Sequence, residues 1–503
     1  MSKRIRTLVI AGVAVVVLVG ALLVLLDPFG WFGTASNDGE ESSTTATTTT
    51  TIPLIEKTEE DSVTPVSSVE ITTPEEQFVI RPDADGTFAV EGYADLPVYT
   101  TRVDTLLSAV ADIYATRKIT DAPANAADFG LEEPLAAVTV TYTDGSTYAF
   151  EIGNEEPNQS GYYFREAGQS AIYLVSTTFA ETMTRPSLEY IGLTLITEPA
   201  VQEDDETGEA QLMKMELSGS VRPQPILLRY AEAADSSEFT SMSQYVITAP
   251  YLRAADSGIR EWSTALNTLS ATGVAAAHPT AEQLQEFGLS DPYSVAVMTF
   301  AVYAETEDTV TTYNEQTLTL RLGGKDEDGS YYAMLDGVDV VYLVSPSAVP
   351  WAEMTYDDLV SSLLFTKNIQ QVSAISMTAD GVTTRFELAH HEDAESTDES
   401  LTVTANGTTY PTADFRSLYQ VLMQVERFAG ADGATAAGDP SVVIRIDPTA
   451  DGGSAIEAKF YSQTANRYLC VREDGDTYLV SASDVENAVQ QLQNYLSGQT
   501  VVT

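Results

Sequence analysis

Three histidines and one cysteine are the residues of this chain best suited to proton transfer, metal ligation or nucleophilic attack: His278, His390, His391 and Cys470. Histidine changes charge near neutral pH and is the commonest metal ligand. His278 precedes Pro279 immediately before Thr280-Ala281-Glu282-Gln283, which places it in a loop ahead of a helix start. His390-His391-Glu392-Asp393 gathers imidazoles and carboxylates of the kind that hold zinc. Neighbours on an extended chain point to opposite sides, and the segment runs on into an acidic, serine-rich stretch, so it reads as a solvated loop. Cys470 lies in the apolar run Tyr468-Leu469-Cys470-Val471 and reads as a small strand residue; being the only cysteine, it excludes an intramolecular disulfide.

Acidic turns such as Asp83-Ala84-Asp85-Gly86 and Asp326-Glu327-Asp328-Gly329 suggest calcium. Neither supplies ligands at alternate positions followed by a bidentate Glu at the twelfth, and the Asp-Gly pairs are explained by hairpin turns. Tyr162-Tyr163 and Tyr331-Tyr332 could form a sugar-stacking platform, but strand neighbours face opposite sides, so one member of each pair is read as core and the other as cross-strand packing. The sequence holds no G-x-x-x-x-G-K-[ST], H-E-x-x-H, G-x-S-x-G or S-x-x-K. Carboxylate pairs for glycoside hydrolysis are too numerous among 74 acidic residues for sequence to select one. No catalytic, cofactor-binding or metal residue is therefore assigned, and no cofactor and no enzymatic activity are expected.

The elements that would position any site begin with charge. Against 25 basic residues the 74 acidic ones give −49, while apolar content is an ordinary 44%. The acid is thus laid over globular domains, and its field repels phosphate backbones, so nucleic acid is not expected as a partner. Residues 1–6, Met-Ser-Lys-Arg-Ile-Arg, precede an uncharged apolar run over 7–26, long enough to span the roughly 30 Å of bilayer hydrocarbon. A cleaved signal peptide would need a better cleavage site than Gly33-Thr34-Ala35, so a retained anchor is expected. Lys3, Arg4 and Arg6 put the N-terminus in the cytoplasm and the remainder outside the cell membrane. Residues 27–65, rich in Ser, Thr and acid, are expected to form a disordered stalk.

Beyond residue 65 one pattern recurs three times. Tyr163, Tyr173, Leu174, Val175 and Ser176 return at the same offsets as Tyr332, Tyr342, Leu343, Val344 and Ser345, and as Tyr468, Tyr478, Leu479, Val480 and Ser481. Each set closes a hairpin, and an alternating hairpin lies upstream: Val138–Tyr142 with Tyr148–Ile152, Val295–Tyr303 with Leu318–Leu322 across a longer acidic loop, and Val442–Ile446 with Ile456–Tyr461. Helical stripes precede them at Val103, Leu106, Leu107, Val110 and Ile113, at Ile259, Trp262, Leu266 and Leu269, and at Phe415, Leu418, Tyr419, Leu422 and Val425. Opening strands are expected around Val69–Ile71, Met215–Leu217 and Ile375–Met377. The expected fold class is α+β: three tandem repeats of a mostly antiparallel sheet with one amphipathic helix each, at 66–198, 211–366 and a divergent 371–497, preceded by the single transmembrane helix. An acidic linker, Gln202 to Ala210, separates the first two. Thr280 with Gln283 forms a capping-box pattern, and the glycines of Phe129-Gly130-Leu131-Glu132-Glu133-Pro134 and Phe287-Gly288-Leu289-Ser290-Asp291-Pro292 read as helix caps.

These last motifs carry a resemblance. The F-G-L-x-x-P turn, Val138-Thr139-Val140-Thr141-Tyr142-Thr143-Asp144-Gly145-Ser146, the Ile152-Gly153-Asn154-Glu155 strand end, and Gly161-Tyr162-Tyr163-Phe164-Arg165 followed by Ala171-Ile172-Tyr173-Leu174-Val175-Ser176 resemble the bacterial domain-of-unknown-function family 4340 (DUF4340). The resemblance covers Phe129–Ala180 and Phe287–Met354 best; the third unit lacks the F-G-L and I-G pairs. It implies a bacterial envelope protein with an N-terminal anchor, associated with ABC-type export systems including gliding-motility accessories, and it implies no catalytic residues. The expected function is a non-enzymatic, membrane-anchored extracytoplasmic scaffold or accessory subunit with an ABC transporter permease or accessory protein as partner. The alternatives are a cell-surface ligand or glycan binder and, after it, a cell-wall hydrolase.

Overall fold

Alternating apolar residues and Asp-Gly turns assemble into three large antiparallel sheets, each covered on one face by a helix. The computed structural model describes residues 51–57, 65–123, 125–203, 205, 207–239, 244–305, 310–391, 396, 399–431 and 433–503. The expected cytoplasmic segment 1–6 and membrane span 7–26 lie outside the described residues, as does most of the stalk. Among the described residues no helix is long and apolar enough to cross a membrane. One part of the expected stalk is structured: Ile52–Glu56 is a strand paired antiparallel with Asp112–Ala115. Its sequence, Ile-Pro-Leu-Ile-Glu, is an apolar island that the surrounding Ser/Thr composition obscured.

The first sheet runs, strand beside strand, Phe88–Val90, Gln77–Pro82, Val66–Thr72, Ala136–Tyr142, Thr147–Glu155, Tyr162–Glu166, Ile172–Val175 and Arg117–Thr120. The second runs Arg253–Ala254, Tyr245–Ala249, Ile226–Tyr230, Glu209–Ser218, Ser294–Glu305, Val310–Lys325, Tyr331–Leu335, Val340–Val344 and Gly273–Ala277. The third runs Thr408–Tyr410, Leu401–Ala405, Val382–His390, Val372–Ala379, Val442–Pro448, Ile456–Thr464, Arg467–Arg472, Thr477–Ser481 and Arg427–Gly430. In each, a meander steps outward from a central strand and a helix carries the chain to the opposite edge. A second meander then starts beside the first central strand and returns to that edge. Among the described residues every neighbouring pair in these sheets is hydrogen-bonded antiparallel, and the pleat puts every second side chain on the helix side.

The helices are Thr100–Ala111, Ile259–Ala265 and Thr412–Met423. Val103, Leu106, Leu107 and Val110 join Val69, Ile71, Val138, Val140 and Phe150 in one core. Each buried aliphatic side chain of this kind contributes roughly 1.5–3 kcal/mol. The stripes read from sequence overrun these helices. Ile113 belongs to the strand Asp112–Ala115, Leu269 to Leu269–Ser270, and Val425 follows the helix end, although all three are buried. Periodicity reports burial on one side, which a residue just beyond the helix also satisfies. The third sheet carries a second helix, Ala482–Leu496, whose buried Val485, Ala488, Leu492 and Tyr495 join its core.

The long acidic loop expected in the second hairpin is mostly strand. The ladder of Ser294–Glu305 on Val310–Lys325 reaches Glu305 opposite Val310, because Val310-Thr311-Thr312-Tyr313 favours extended backbone. This extension straps the stretch joining the first two sheets. Tyr313 donates to Asp205 Oδ2 at 2.7 Å, Asn314 Nδ2 to the Ala200 carbonyl at 2.7 Å, and Gln316 Nε2 to the Thr197 carbonyl at 2.7 Å.

The sheets are also joined through apolar packing. Leu96, Ile191, Leu195 and Ile196, which follow elements of the first sheet, are buried in the core of the second, and Thr194–Ile196 pairs with Leu269–Ser270. Residues 51–503 accordingly form one compact unit.

Candidate functional site

The F-G-L motif and the I-G strand end meet. Ala126–Phe129 forms a single 3-10 turn capped by the Asn125 side chain, and Ala281–Glu286 a short helix with the Thr280–Gln283 capping box. Each ends in a left-handed glycine, Gly130 at φ +69° and Gly288 at φ +73°. The amides of Leu131 and Leu289 then reach back to the carbonyls of Ala126 and Leu284, as in a Schellman motif, and both leucine side chains are buried. This lays the Phe129 and Phe287 carbonyls against Gly153 and Gly323, where any Cβ would overlap the carbonyl oxygen. Phe287 stacks on Tyr332 at 4.4 Å between centroids, and Phe129 meets Tyr163 edge-on at 4.9 Å. The tyrosine pairs are therefore packing: Tyr331 is 2% exposed, and Tyr332 and Tyr163 cover the motif phenylalanines.

The other residues singled out from sequence are dispersed. Cys470 is fully buried in the third sheet, and burial pushes its thiol up to about 12, which keeps it protonated and unreactive. Asp83 Oδ1 accepts the amides of Asp85 and Thr87, and Asp326 Oδ1 those of Asp328 and Ser330, so these carboxylates fix their own turns. No group of three or more metal-ligating residues occurs among the described residues. His390 is not in a loop: it ends the strand Val382–His390, with Nε2 2.7 Å from the Val372 carbonyl. His391 Nε2 lies 2.9 Å from Thr402 Oγ1, so the two rings serve different partners. Glu392 and Asp393 lie outside the described residues.

His278 fastens the first sheet's connections to the second sheet. Its Nδ1 is 3.0 Å from Asp339 Oδ2 and its Nε2 is 3.0 Å from the Gly92 carbonyl, with Asp95 Oδ1 at 3.4 Å and the Tyr93 ring beside it. Both nitrogens face acceptors, an arrangement that only the doubly protonated ring satisfies. The Asp339 hydrogen bond raises its pKa against the opposing effect of burial, with the Gly92 carbonyl and the charges of Asp95 and Asp339 adding to the rise. The folded state then binds the proton more tightly, so the contact contributes fully below the ordinary histidine pKa and is lost as pH rises through the raised value. His278→Ala is expected to lower the melting temperature at about pH 5.5 and to leave it nearly unchanged at about pH 8.5. Equal losses at both would show that the imidazolium contributes nothing.

A dense charge cluster sits where the second sheet meets the third. Among the described residues the buried bases are Arg222, Arg253, Lys367, Arg427 and Arg472, and all but Arg222 are here. Arg253, on the edge strand of the second sheet, grips the hairpin turn Glu473-Asp474-Gly475-Asp476 of the third. It reaches Asp474 Oδ1 and Oδ2 at 2.9 Å, Asp476 Oδ2 at 3.1 Å and Tyr478 Oη at 3.1 Å. Tyr356 donates to Asp476 Oδ2 at 2.9 Å, and Tyr478 donates to the same oxygen. Burial raises the Asp476 carboxyl despite those bonds. At Asp474 burial acts upward too, but the hydrogen bond and charge of Arg253 outweigh it and the pKa falls.

Around this core, Arg472 Nη1 donates to the Leu364 carbonyl at 2.8 Å and Arg427 Nη2 to Asp357 Oδ1 at 2.7 Å. Lys367 Nζ, 1% exposed as a residue, donates to the carbonyls of Gly452 at 2.6 Å and Ser237 at 3.0 Å and pairs with Glu238 at 3.3 Å. Between them lies a half-enclosed cavity of about 220 Å³ whose charged lining is Arg253, Arg427, Arg472, Glu238, Glu473 and Asp474. Such a site can recognise charge and hold two sheets together; it presents no cysteine, serine–histidine pair or ligand set among the described residues. Sequence reading missed it, although one signal was present. Asp476 stands at the offset where the other two hairpins that end in Tyr-Leu-Val-Ser carry Ala171 and Val340, and a carboxylate in place of an apolar residue announces a buried partner.

Residues 73–202 and 246–440 match the model of the family described as Domain of unknown function (DUF4340), more than half of the chain. No curated protein and no solved structure matches it. With both F-G-L turns explained as packing against the strand-end glycines Gly153 and Gly323, the chain belongs to the DUF4340 family.

Proposed function

We propose that this protein is a non-enzymatic, membrane-anchored scaffold or accessory subunit on the outer side of the cell membrane, serving an ABC-type transport system, and that its folded part is three copies of one ancestral module. The shared strand order of the three sheets supports the triplication. The observation that carries the scaffold reading is the pair of joints: apolar packing and His278 on one side, and the Arg253, Lys367, Arg427 and Arg472 contacts on the other. Joints of this kind resist bending, and a protein that must present surfaces at fixed separation needs them. The uncharged run over 7–26 supplies the anchor, and partners are a transporter permease or its accessories.

Crosslinking in native membranes tests this. The expected result is retention of the chain in the alkali-washed membrane with adducts to a permease or to its ATPase complex. Recovery of the chain in the wash, or membranes in which it crosslinks only to itself, would overturn the reading.

A further inference from the structure

A cleft beside the F-G-L turn of the second sheet is held open by a glycine that the backbone does not need. In the first sheet the residue after the strand-end Gly153 is Asn154, whose side chain fills the space in front of Gly130, so that a Cβ on Gly130 would overlap it. The same position of the second sheet holds Gly324. Gly324 is not in the left-handed region, and beyond its chain neighbours an added Cβ would meet only the Phe287 carbonyl oxygen, at an ordinary 3.7 Å. Neither conformation nor crowding calls for glycine there. Its effect is to leave a cavity of about 420 Å³ over Gly288, Gly323 and Gly324, within the roughly 300–1,000 Å³ of ligand pockets.

Two more exchanges line this cavity. After the motif proline stands Tyr293, where the first sheet has Leu135. Tyr293 is half-buried, and the buried Tyr331 lies nearly parallel to it, with planes 18° apart and centroids 6.4 Å apart, so the ring is a braced wall. Lys325 stands where the first sheet has Glu155, with Nζ 4.6 Å from the centre of the Tyr331 ring and 2.8 Å from Glu353 Oε1. That oxygen also accepts from Tyr331 at 2.7 Å. Glu353 Oε2, the Asp291 carboxylate and the hydroxyls of Ser220 and Tyr293 have no partner among the described residues, and all four groups belong to residues lining the cavity.

We propose that this cleft binds an uncharged sugar ring. Such a ring has a face of C–H bonds and a rim of hydroxyls, and the cleft holds the complement of each. The C–H face lies against the electron-rich face of Tyr293, while rim hydroxyls donate to Asp291 and Glu353 Oε2 and accept from Lys325, which has three N–H donors. Other guests match the lining less well. An anion is opposed by both carboxylates and by the field of a chain at −49. A cation finds its place over the Tyr331 ring already taken by Lys325. A wholly apolar guest would strip water from Asp291 and Glu353 and replace none of its hydrogen bonds. All the lining residues lie within or next to the second sheet, and none belongs to the joints that carry the scaffold reading.

The test uses the full chain, with glucose, N-acetylglucosamine, cellobiose and chitobiose as probes. The controls are sorbitol, which has hydroxyls without a ring, p-cresol, an aromatic ring with a single hydroxyl, and tetramethylammonium, a cation. Calorimetry and saturation-transfer NMR up to ~10 mM would detect a millimolar Kd. At least one sugar is expected to bind saturably, with saturation strongest at the C–H protons of one ring face, and every control to bind more weakly. Tighter binding of a disaccharide assigns a glycan chain and tighter binding of a monosaccharide a free sugar, and either supports the proposal. Gly324→Asn restores the side chain that the first sheet carries and is expected to abolish binding in a folded protein, shown by an unchanged melting temperature. Tyr293→Leu, again the first sheet's residue type, is expected to weaken binding about tenfold or more. Absence of binding by every sugar, a control bound as tightly as the best sugar, or undiminished affinity in either variant would overturn the proposal.

Discussion

Gly323→Ala is expected to destabilise the second sheet by about 3 kcal/mol or more, and Gly153→Ala the first by a similar amount, the scale of severe core overpacking. The reason is steric. A Cβ on Gly323 overlaps the Phe287 carbonyl oxygen and closes on the backbone of Gly288, and one on Gly153 overlaps the Phe129 carbonyl. Neither neighbour is a flexible side-chain end. The Phe287 carbonyl is held by its bond from the Gly324 amide at 2.8 Å, and the turn by the buried Leu289, so relief requires moving the helix off the sheet. Gly145→Ala provides the comparison: its φ is +83° but the added methyl meets nothing, so only the backbone term of about 1 kcal/mol applies. Because three sheets share one unit, denaturant curves should be paired with hydrogen exchange to locate the loss. Equal, small effects at Gly323 and Gly145 would show that the motif turn is free to move.

Arg253→Gln is the second large effect, expected at about 3–5 kcal/mol, because it removes one partner of a buried ionic cluster and leaves the others in place. Asp476 is 1% exposed and would keep only its tyrosine donors. The pH dependence has a definite sign. The Asp476 carboxyl is raised in the folded state, so its stability contribution is greatest when protonated and declines as pH rises through the raised value. Without Arg253 the ionised form is less tolerable still, and the variant's deficit should be largest near neutrality and shrink on acidification. A double substitution, Arg253→Gln with Asp476→Asn, should recover part of the loss, measured as a coupling in thermal melts. Additive effects of the two changes would mean that the guanidinium and the carboxylate do not support each other.

Much of the fold was legible because local and global signals coincide. The Thr280–Gln283 capping box, the left-handed glycines and the three hairpins ending in Tyr-Leu-Val-Ser each depend on residues a few positions apart. What failed locally failed where two structures share one pattern: Ile113 and Leu269 continue a helical stripe but lie in strands. Val310–Tyr313 looked like loop until the ladder that extends it was counted.

By itself the sequence determined the class of fold, the helix faces, the turn chemistry and the family, since periodicity, capping and glycine conformation act over one or two turns of chain. Only the tertiary structure decided the joints and the site. Arg253 and Asp474 are separated by 221 positions and Lys367 and Gly452 by 85, and nothing in the chemistry of either member names the other. A charge in a sequence carries no mark of whether water or a partner will solvate it; that is settled when the sheets close and remove the water.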